Sequence, residues 1–178
     1  MKTSPSNTKK YYILGFFIVA FGGTLAHFVY NWSGQNRALG LLFPVNESTW
    51  EHMKLIFFPM LLWGTSFLHI FSKENSCFPY LLLSATLLGT GMIPVLFYSY
   101  SGILGFHIPA LDIATFYISV LFSFVRLYKK QNLCYGRTGK IVLVALTIIA
   151  ILCFFIFSYH APDYGIFHVP SPGITVSD

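Results

Sequence analysis

Most of the side chains that can bind a metal or move a proton are predicted to gather at one end of this molecule. Five of the six histidines and five of the six acidic residues fall at that end once the helices are placed. An ionisable group near hydrocarbon costs free energy unless it is paired or hydrated, so such a cluster is a candidate functional site. Neutral imidazoles together with carboxylates are ligands that suit divalent transition metals.

We therefore predict a polar site with three kinds of residue. The predicted ligands of a divalent metal such as zinc, with water at an open position, are His27, His52, His107 and Asp112. The predicted proton-transfer groups are Glu51 and Glu47. The predicted lining of the site consists of polar or aromatic neighbours of these groups: Tyr30, Asn31, Asn46, Ser48, Trp50 and Lys54. Because the ligands belong to separate helices, their spacing does not show whether they meet.

Residues 43–54 hold the densest group of these side chains. Within them, Ser48 to Glu51 fit a capping box, in which the Ser48 hydroxyl accepts from the amide of Glu51 and the Glu51 carboxylate accepts from the amide of Ser48. That structural explanation accounts for Ser48 and Glu51 but leaves Glu47, His52 and Lys54 without a role. At the level of sequence, both a capping and a chemical role for Glu51 stay open.

The remaining members of the predicted site begin on two other helices. One helical face carries residues at steps of three and four, and it should point into a bundle: Gly23, Thr24, His27, Tyr30 and Asn31. His107 and Asp112 lie around the start of a further helix. An ordinary explanation exists there too, because Pro109 suits a first helical turn and Asp112 complements a helix N-terminus.

The elements that must hold these residues are membrane helices. The chain of 178 residues is 55% hydrophobic and 19% aromatic, and only 10% of its residues are charged. A helix needs about 20 apolar residues to cross a bilayer. Apolar runs of that length cover residues 11–30, 50–72, 78–100, 109–128 and 141–160. We therefore predict an all-α integral membrane bundle of five transmembrane helices, a single domain over residues 1–178 whose tail is 161–178.

Basic residues set the predicted orientation of this bundle. Nine of the eleven Lys and Arg residues fall on one side of it, and only Arg37 and Lys54 fall on the other. By the positive-inside rule, the N-terminus is cytoplasmic and the C-terminus extracytoplasmic. The net charge of +5 then reflects topology and contact with lipid headgroups, and it gives no argument for nucleic acid as a partner. Cys77 and Cys134 fall on the cytoplasmic side, so no extracytoplasmic disulfide is expected.

Two strings carry a resemblance to a known family, HFVYNWSG at residues 27–34 and PVNESTWEHMK at residues 44–54. They resemble an uncharacterised family of bacterial polytopic membrane proteins, catalogued as a domain of unknown function. The resemblance covers nearly the whole chain, although residues 159–167 look compressed relative to the Pro-rich ending expected of that family. It implies a polytopic fold in a cell membrane, which we expect to be the bacterial plasma membrane. It implies no activity.

Three classes of function fit these observations. The first is metal-assisted hydrolysis of a lipid-like or small amphiphilic substrate at the extracytoplasmic face. The second is a transporter or sensor that binds an ion or small molecule, and the third is an accessory membrane subunit whose polar cluster only locks the bundle. No acid or histidine lies deep within a predicted span, which argues against transport, and no recognised catalytic motif is present, which argues against an enzyme. The expected partner is the lipid bilayer.

Overall fold

A computed structural model describes residues 5–170 of the chain. Within this part, the regular secondary structure is helical. The α-helices are α1 Pro5–Trp32, α2 Thr49–His52, α3 Lys54–Ser66, α4 Leu68–Glu74, α5 Phe78–Leu104, α6 Pro109–Lys129 and α7 Arg137–Phe157. Short 3-10 turns are formed by Leu39–Leu41 and by Gly165–Phe167.

Four segments are long and apolar enough to cross a membrane: Lys9–Trp32 in α1, and the whole of α5, α6 and α7. They correspond to four of the five predicted spans, and their bounds extend a few residues beyond the predicted ones at most ends. The all-α class and the apolar, membrane-compatible character of the helices are therefore confirmed.

The second predicted span, residues 50–72, is divided into α2, α3 and α4. The first interruption is at Met53, whose amide donates to the carbonyls of both Thr49 and Trp50 in a tightened turn. The second is at Phe67, whose φ of −103° and ψ of 9° leave the helical region. The structure thus differs from the single helix that the apolar run predicts, because hydropathy is the same for a continuous helix and for a broken one.

The middle piece of this segment, α3, lies inside the bundle against α1, α5 and α6. Ile56, Phe57 and Met60 of α3 have no exposed surface. A helix that is apolar on all sides suits such a position. The buried position of α3 places Lys54, its first residue, inside the bundle, and it places His52, the last residue of α2, two residues before that buried helix.

Gly23 allows α1 to approach α3 closely. Pro59 has no amide hydrogen, so the carbonyl of Leu55 cannot receive the usual helical hydrogen bond from that residue. This carbonyl oxygen faces Gly23: a Cβ built on Gly23 would lie 2.5 Å from it and 2.5 Å from Cζ of Phe116. Glycine is required here because a side chain at position 23 would push α1 away from the backbone of α3 and from the ring of Phe116.

Gly23→Ala is therefore expected to lower the free energy of unfolding by about 1–3 kcal/mol, the usual cost of overpacking. Gly22→Ala is the matched control, because a Cβ at Gly22 would meet nothing within 4 Å. That variant should be as stable as the wild type or slightly more so, since alanine favours a helix. Thermal unfolding of the three purified proteins in one detergent checks this, and equal midpoints for the two variants would contradict the close packing.

At the end of the bundle where α5 begins, Cys77 and Cys134 form a disulfide. It joins the start of α5 to the loop between α6 and α7. Nearby, Arg126 donates to the Ser84 hydroxyl at 2.9 Å. The disulfide lies at the face that the basic residues assign to the cytoplasm, where disulfides are uncommon. The two observations favour opposite orientations of the bundle.

Candidate functional site

A cavity of about 620 Å³ lies where several helix ends meet. Its walls come from the last turns of α1, the segment 47–55, the second half of α5, the first turns of α6 and the tail at Val169 and Pro170. The polar and ionisable side chains that line it include His27, Glu47, His52, His107 and Asp112. The structure thus brings to one cavity the four residues that were predicted as metal ligands, together with Glu47.

Three of these residues form a compact cluster, His27, Glu47 and His52. The Nε2 atom of His27 lies 3.5 Å from one Glu47 carboxylate oxygen, and Nε2 of His52 lies 3.3 Å from the other. The two imidazole rings stack with their centroids 5.3 Å apart. Each residue offers one ligand atom, and these three atoms all lie within 4.8 Å of one another. This group has the size of a metal site.

The ring of His52 is oriented by its own helix. Its Nδ1 lies 2.9 Å from the backbone carbonyl of Ser48, one turn earlier. A carbonyl only accepts, so Nδ1 carries the hydrogen and Nε2 faces Glu47. Both ring nitrogens can donate together only if His52 is an imidazolium. A metal ion at Nε2 would take the place of that proton, and the carbonyl would then fix the ring as a ligand.

Glu47 stays anionic in this setting. The hydrogen bond with His52 lowers the pKa of the Glu47 carboxyl below its usual value, and the nearby charges of His27 and His52 act in the same direction. Partial burial opposes them by raising that pKa, but the net direction is downward. Glu47 therefore offers a carboxylate, which is the form that binds a cation.

His107 and Asp112 form a second polar pair in the same cavity. Nδ1 of His107 lies 2.9 Å from one oxygen of Asp112, and the hydroxyl of Tyr100 donates to the other oxygen. An ionised Asp112 only accepts, so His107 carries its hydrogen on Nδ1. Within the described part of the chain, Nε2 of His107 has no hydrogen-bond partner. The pair is therefore arranged like a base held by a carboxylate rather than as part of the three-residue cluster.

Glu51 occupies a different environment from the one predicted for a proton-transfer group. It is 1% exposed, it is outside the set of described residues that line the cavity, and its Oε2 accepts from Nζ of Lys54 at 2.7 Å. The same oxygen accepts from the amide of Val45 at 2.9 Å. Half of the predicted capping box is present, because Ser48 Oγ accepts from the Glu51 amide. The reciprocal half is absent, since the Ser48 amide donates to Asn46 instead.

Lys54 is fully buried and all three of its ammonium hydrogens find acceptors. It donates to Glu51, to the backbone carbonyl of Gly40 at 2.9 Å and to the hydroxyl of Ser158. Lys54 thus links the 3-10 turn Leu39–Leu41, its own position at the start of α3, and the end of α7. Its position indicates a structural role beside the cavity.

The other predicted lining residues lie around the cavity without bordering it, among the residues that the structure describes. Trp50 packs against Phe154 and Phe167, with centroids 4.9 and 5.0 Å away. Asn31 is exposed at the end of α1, and Tyr30 lies near Gly40. Asn46 and Ser48 serve the turn that begins α2.

Sequence reasoning missed most of the cavity wall. Its apolar part includes Leu55, Ile93, Phe97 and Phe116, which read as ordinary core residues in the sequence. Val169 of the tail also borders it. No pattern of spacing could identify these residues, because they border the cavity only after separate helices pack together.

These features define a class of protein: an α-helical protein with helices apolar enough to span a membrane and a His- and Glu-lined cavity where their ends meet. The model of the family of unknown function DUF6512 matches residues 1–173, and the chain belongs to that family. No curated protein and no solved structure matches the chain. Function must therefore be argued from the site itself.

Proposed function

We propose that this chain is a multi-pass membrane protein that binds a divalent metal of the zinc type and hydrolyses a lipid-like or small amphiphilic substrate. The observation that carries this proposal is the cluster of His27, Glu47 and His52, whose ligand atoms lie within 4.8 Å of one another in a cavity of about 620 Å³. Two histidines and one glutamate, with a fourth position left to water, form a known ligand set for catalytic zinc.

The distances support a tetrahedral ion. Zinc binds histidine nitrogen and carboxylate oxygen at about 2.0–2.2 Å, so two ligand atoms of one tetrahedral ion lie about 3.4 Å apart. The separations from Glu47 to His27 and to His52 are 3.5 and 3.3 Å. The two separations run to different oxygens of Glu47, so an ion bound to one of these oxygens would draw the other histidine closer. The three ligand atoms, all within 4.8 Å of one another, are near enough for that adjustment.

The proposed chemistry uses the two polar groups of the cavity in different roles. A divalent ion with an open position makes water acidic enough to act as a nucleophile near neutral pH. With such an ion bound, Nε2 of His107 would accept the proton of that water, and Asp112 would hold the ring for this step. The water oxygen would bond to the ester carbonyl carbon as the bond from carbon to the alcohol oxygen breaks, and the proton would pass from His107 to the leaving oxygen.

We also propose that the segment 49–74 crosses the membrane as a fifth, interrupted span, with the N-terminus in the cytoplasm. The cavity supports this arrangement because the later parts of α1 and α5 meet the starts of α2 and α6 there, and Ser158 at the end of α7 contacts Lys54 beside it. Because α1 and α5 both end on the side of the cavity, the segment between them must cross back to the opposite side before α5 begins. The split of basic residues supports the orientation, and the disulfide at Cys77 and Cys134 is the observation against it.

The topology can be tested with single cysteines in a background where the three native ones are replaced. A cysteine at Asn36 should react with an impermeant thiol reagent added to intact cells, and one at Gln131 should not. Labelling at Gln131 alone would reverse the orientation and explain the disulfide. Equal protection at both positions would contradict the five-span arrangement.

The metal and the hydrolysis can be tested on the purified chain. Wild-type protein prepared without chelator should contain about one zinc ion and should hydrolyse a chromogenic dodecanoyl ester, and chelation should abolish turnover. Glu47→Gln and His52→Gln should each lose most of the metal. Asp163→Asn and His160→Gln are the matched controls, because both residues are exposed in the tail outside the cavity.

A different result would assign the cluster another role. If the wild type carries no metal and takes up none from added zinc, the contacts of Glu47 with the two histidines serve only to hold the loop before α2 against α1. The Glu47→Gln variant would then show reduced stability in place of reduced metal content, as expected of an accessory subunit without catalysis.

A further inference from the structure

The cavity has a side wall between α1 and α6 that faces outward. Phe28 of α1 and Ile113 and Tyr117 of α6 all border the cavity. The same side chains are 44%, 59% and 39% exposed at the molecular surface. They therefore separate the cavity from whatever surrounds the helices.

If α1 and α6 cross a bilayer as proposed, this wall falls at the depth of the hydrocarbon near one face of the membrane. We call the place where Phe28 of α1 and Ile113 of α6 stand between the cavity and the molecular surface the gap. Closer to the middle of both helices, the hydroxyls of Thr24 and Tyr117 meet at 3.0 Å and bridge them. Thr24 lies eight residues before the end of α1 at Trp32, and Tyr117 lies eight residues after the start of α6 at Pro109. At 1.5 Å per residue the bridge is about 12 Å from the helix ends. Half of a bilayer core is about 15 Å, so the gap opens within one leaflet.

The cavity has both polar and apolar walls. The possible metal ligands occupy one part of it, and the walls formed by Leu55, Ile93 and Phe116 are apolar and buried. Such a shape suits a molecule with a polar head and a hydrocarbon chain, because the chain keeps the apolar walls out of water. Val169 and Pro170 cover part of the cavity on the side of the tail.

We infer that the substrate is a membrane-borne amphiphile that enters sideways from the lipid phase between α1 and α6. Its head reaches His27, Glu47 and His52, and its chain lies along the apolar walls and leaves through the gap at Ile113. This inference deepens the proposed function, because it names the substrate class and the route to the same site. It requires no aqueous pathway for a small soluble substrate.

The test uses a photoreactive fatty acid, with a diazirine on a carbon close to its carboxyl group, in phosphatidylcholine nanodiscs that contain the full-length protein. Illumination followed by peptide mapping should place label on Leu55 or Ile93, which are only 5% and 3% exposed. Ile113→Trp should lower that internal labelling several-fold by filling the gap. Ile118→Trp is the matched control, because Ile118 is a 50% exposed isoleucine of the same helix outside the cavity wall.

Phe28→Trp closes the gap from the other helix and replaces Ile113→Trp if that variant does not fold. Label confined to exposed residues such as Ile118, or equal internal label in the gap variants and in the control, would overturn the lateral route. Metal content measured on the same samples separates the two proposals. Internal labelling without metal upholds the route and contradicts the metal site, whereas bound metal without internal labelling contradicts the route alone.

Discussion

Replacing Lys54 with methionine is expected to lower the free energy of unfolding by about 3–5 kcal/mol, the largest stability effect that the structure predicts. Methionine has a similar length and fits an apolar interior, so packing is largely kept. What is lost is the cation beside Glu51, where both side chains are almost wholly buried, at 0% and 1% exposed. The Glu51 carboxylate would remain in a low-dielectric site with its charge uncompensated.

Thermal unfolding of the purified variants checks this prediction. Lys129→Met is the matched control, because Lys129 is exposed at the end of α6 and its removal should change stability little. The double variant Lys54→Met with Glu51→Leu should recover much of the loss, since it removes both charges together. A single variant as stable as the wild type would show that the buried pair contributes nothing to folding.

His107→Gln is expected to lower hydrolysis of the dodecanoyl ester by about 10²–10⁴-fold while the metal content stays near that of the wild type. Glutamine can still donate to Asp112, so the local hydrogen bond survives, but its amide cannot accept a proton from water. His27→Gln should behave differently and lose both metal and turnover, because His27 belongs to the three-residue cluster. The two histidines thus separate proton transfer from metal binding.

Elemental analysis and initial rates on the same preparations decide between these roles. The control is His168→Gln, because His168 pairs with Asp163 in the exposed tail and should be dispensable. Loss of metal in His107→Gln would show that His107 is a metal ligand, as the sequence predicts. Unchanged turnover in His107→Gln would exclude His107 as the base.

The long helices could be predicted from the sequence because each is an uninterrupted apolar run between charges, proline and glycine. For α5 and α6 even the first residue is correct, since Pro79 and Pro109 mark the first turns. The interruptions within residues 50–72, the second predicted span, could not be predicted. They arise at Met53 and Phe67, two ordinary apolar residues that carry none of the usual helix-breaking signals.

The site was predictable in its composition but not in its geometry. Clustering the ionisable residues at one end of a bundle selects some that border the cavity, among them His27, Glu47 and His107, and also Glu51, which does not. The roles within the string at residues 46–54 were harder to assign. Glu51 has the spacing of a capping residue, yet its carboxylate pairs with Lys54, because a buried cation three residues away is a stronger partner than a backbone amide.

The most direct test of the metal site is an anomalous difference map recorded at the zinc absorption edge from crystals of the protein grown with zinc. The proposal predicts a single strong peak in the cavity, about 2 Å from Nε2 of His27, Nε2 of His52 and a carboxylate oxygen of Glu47. A map with no peak among these three residues, or with a peak only at the exposed pair of Asp163 and His168, would contradict it.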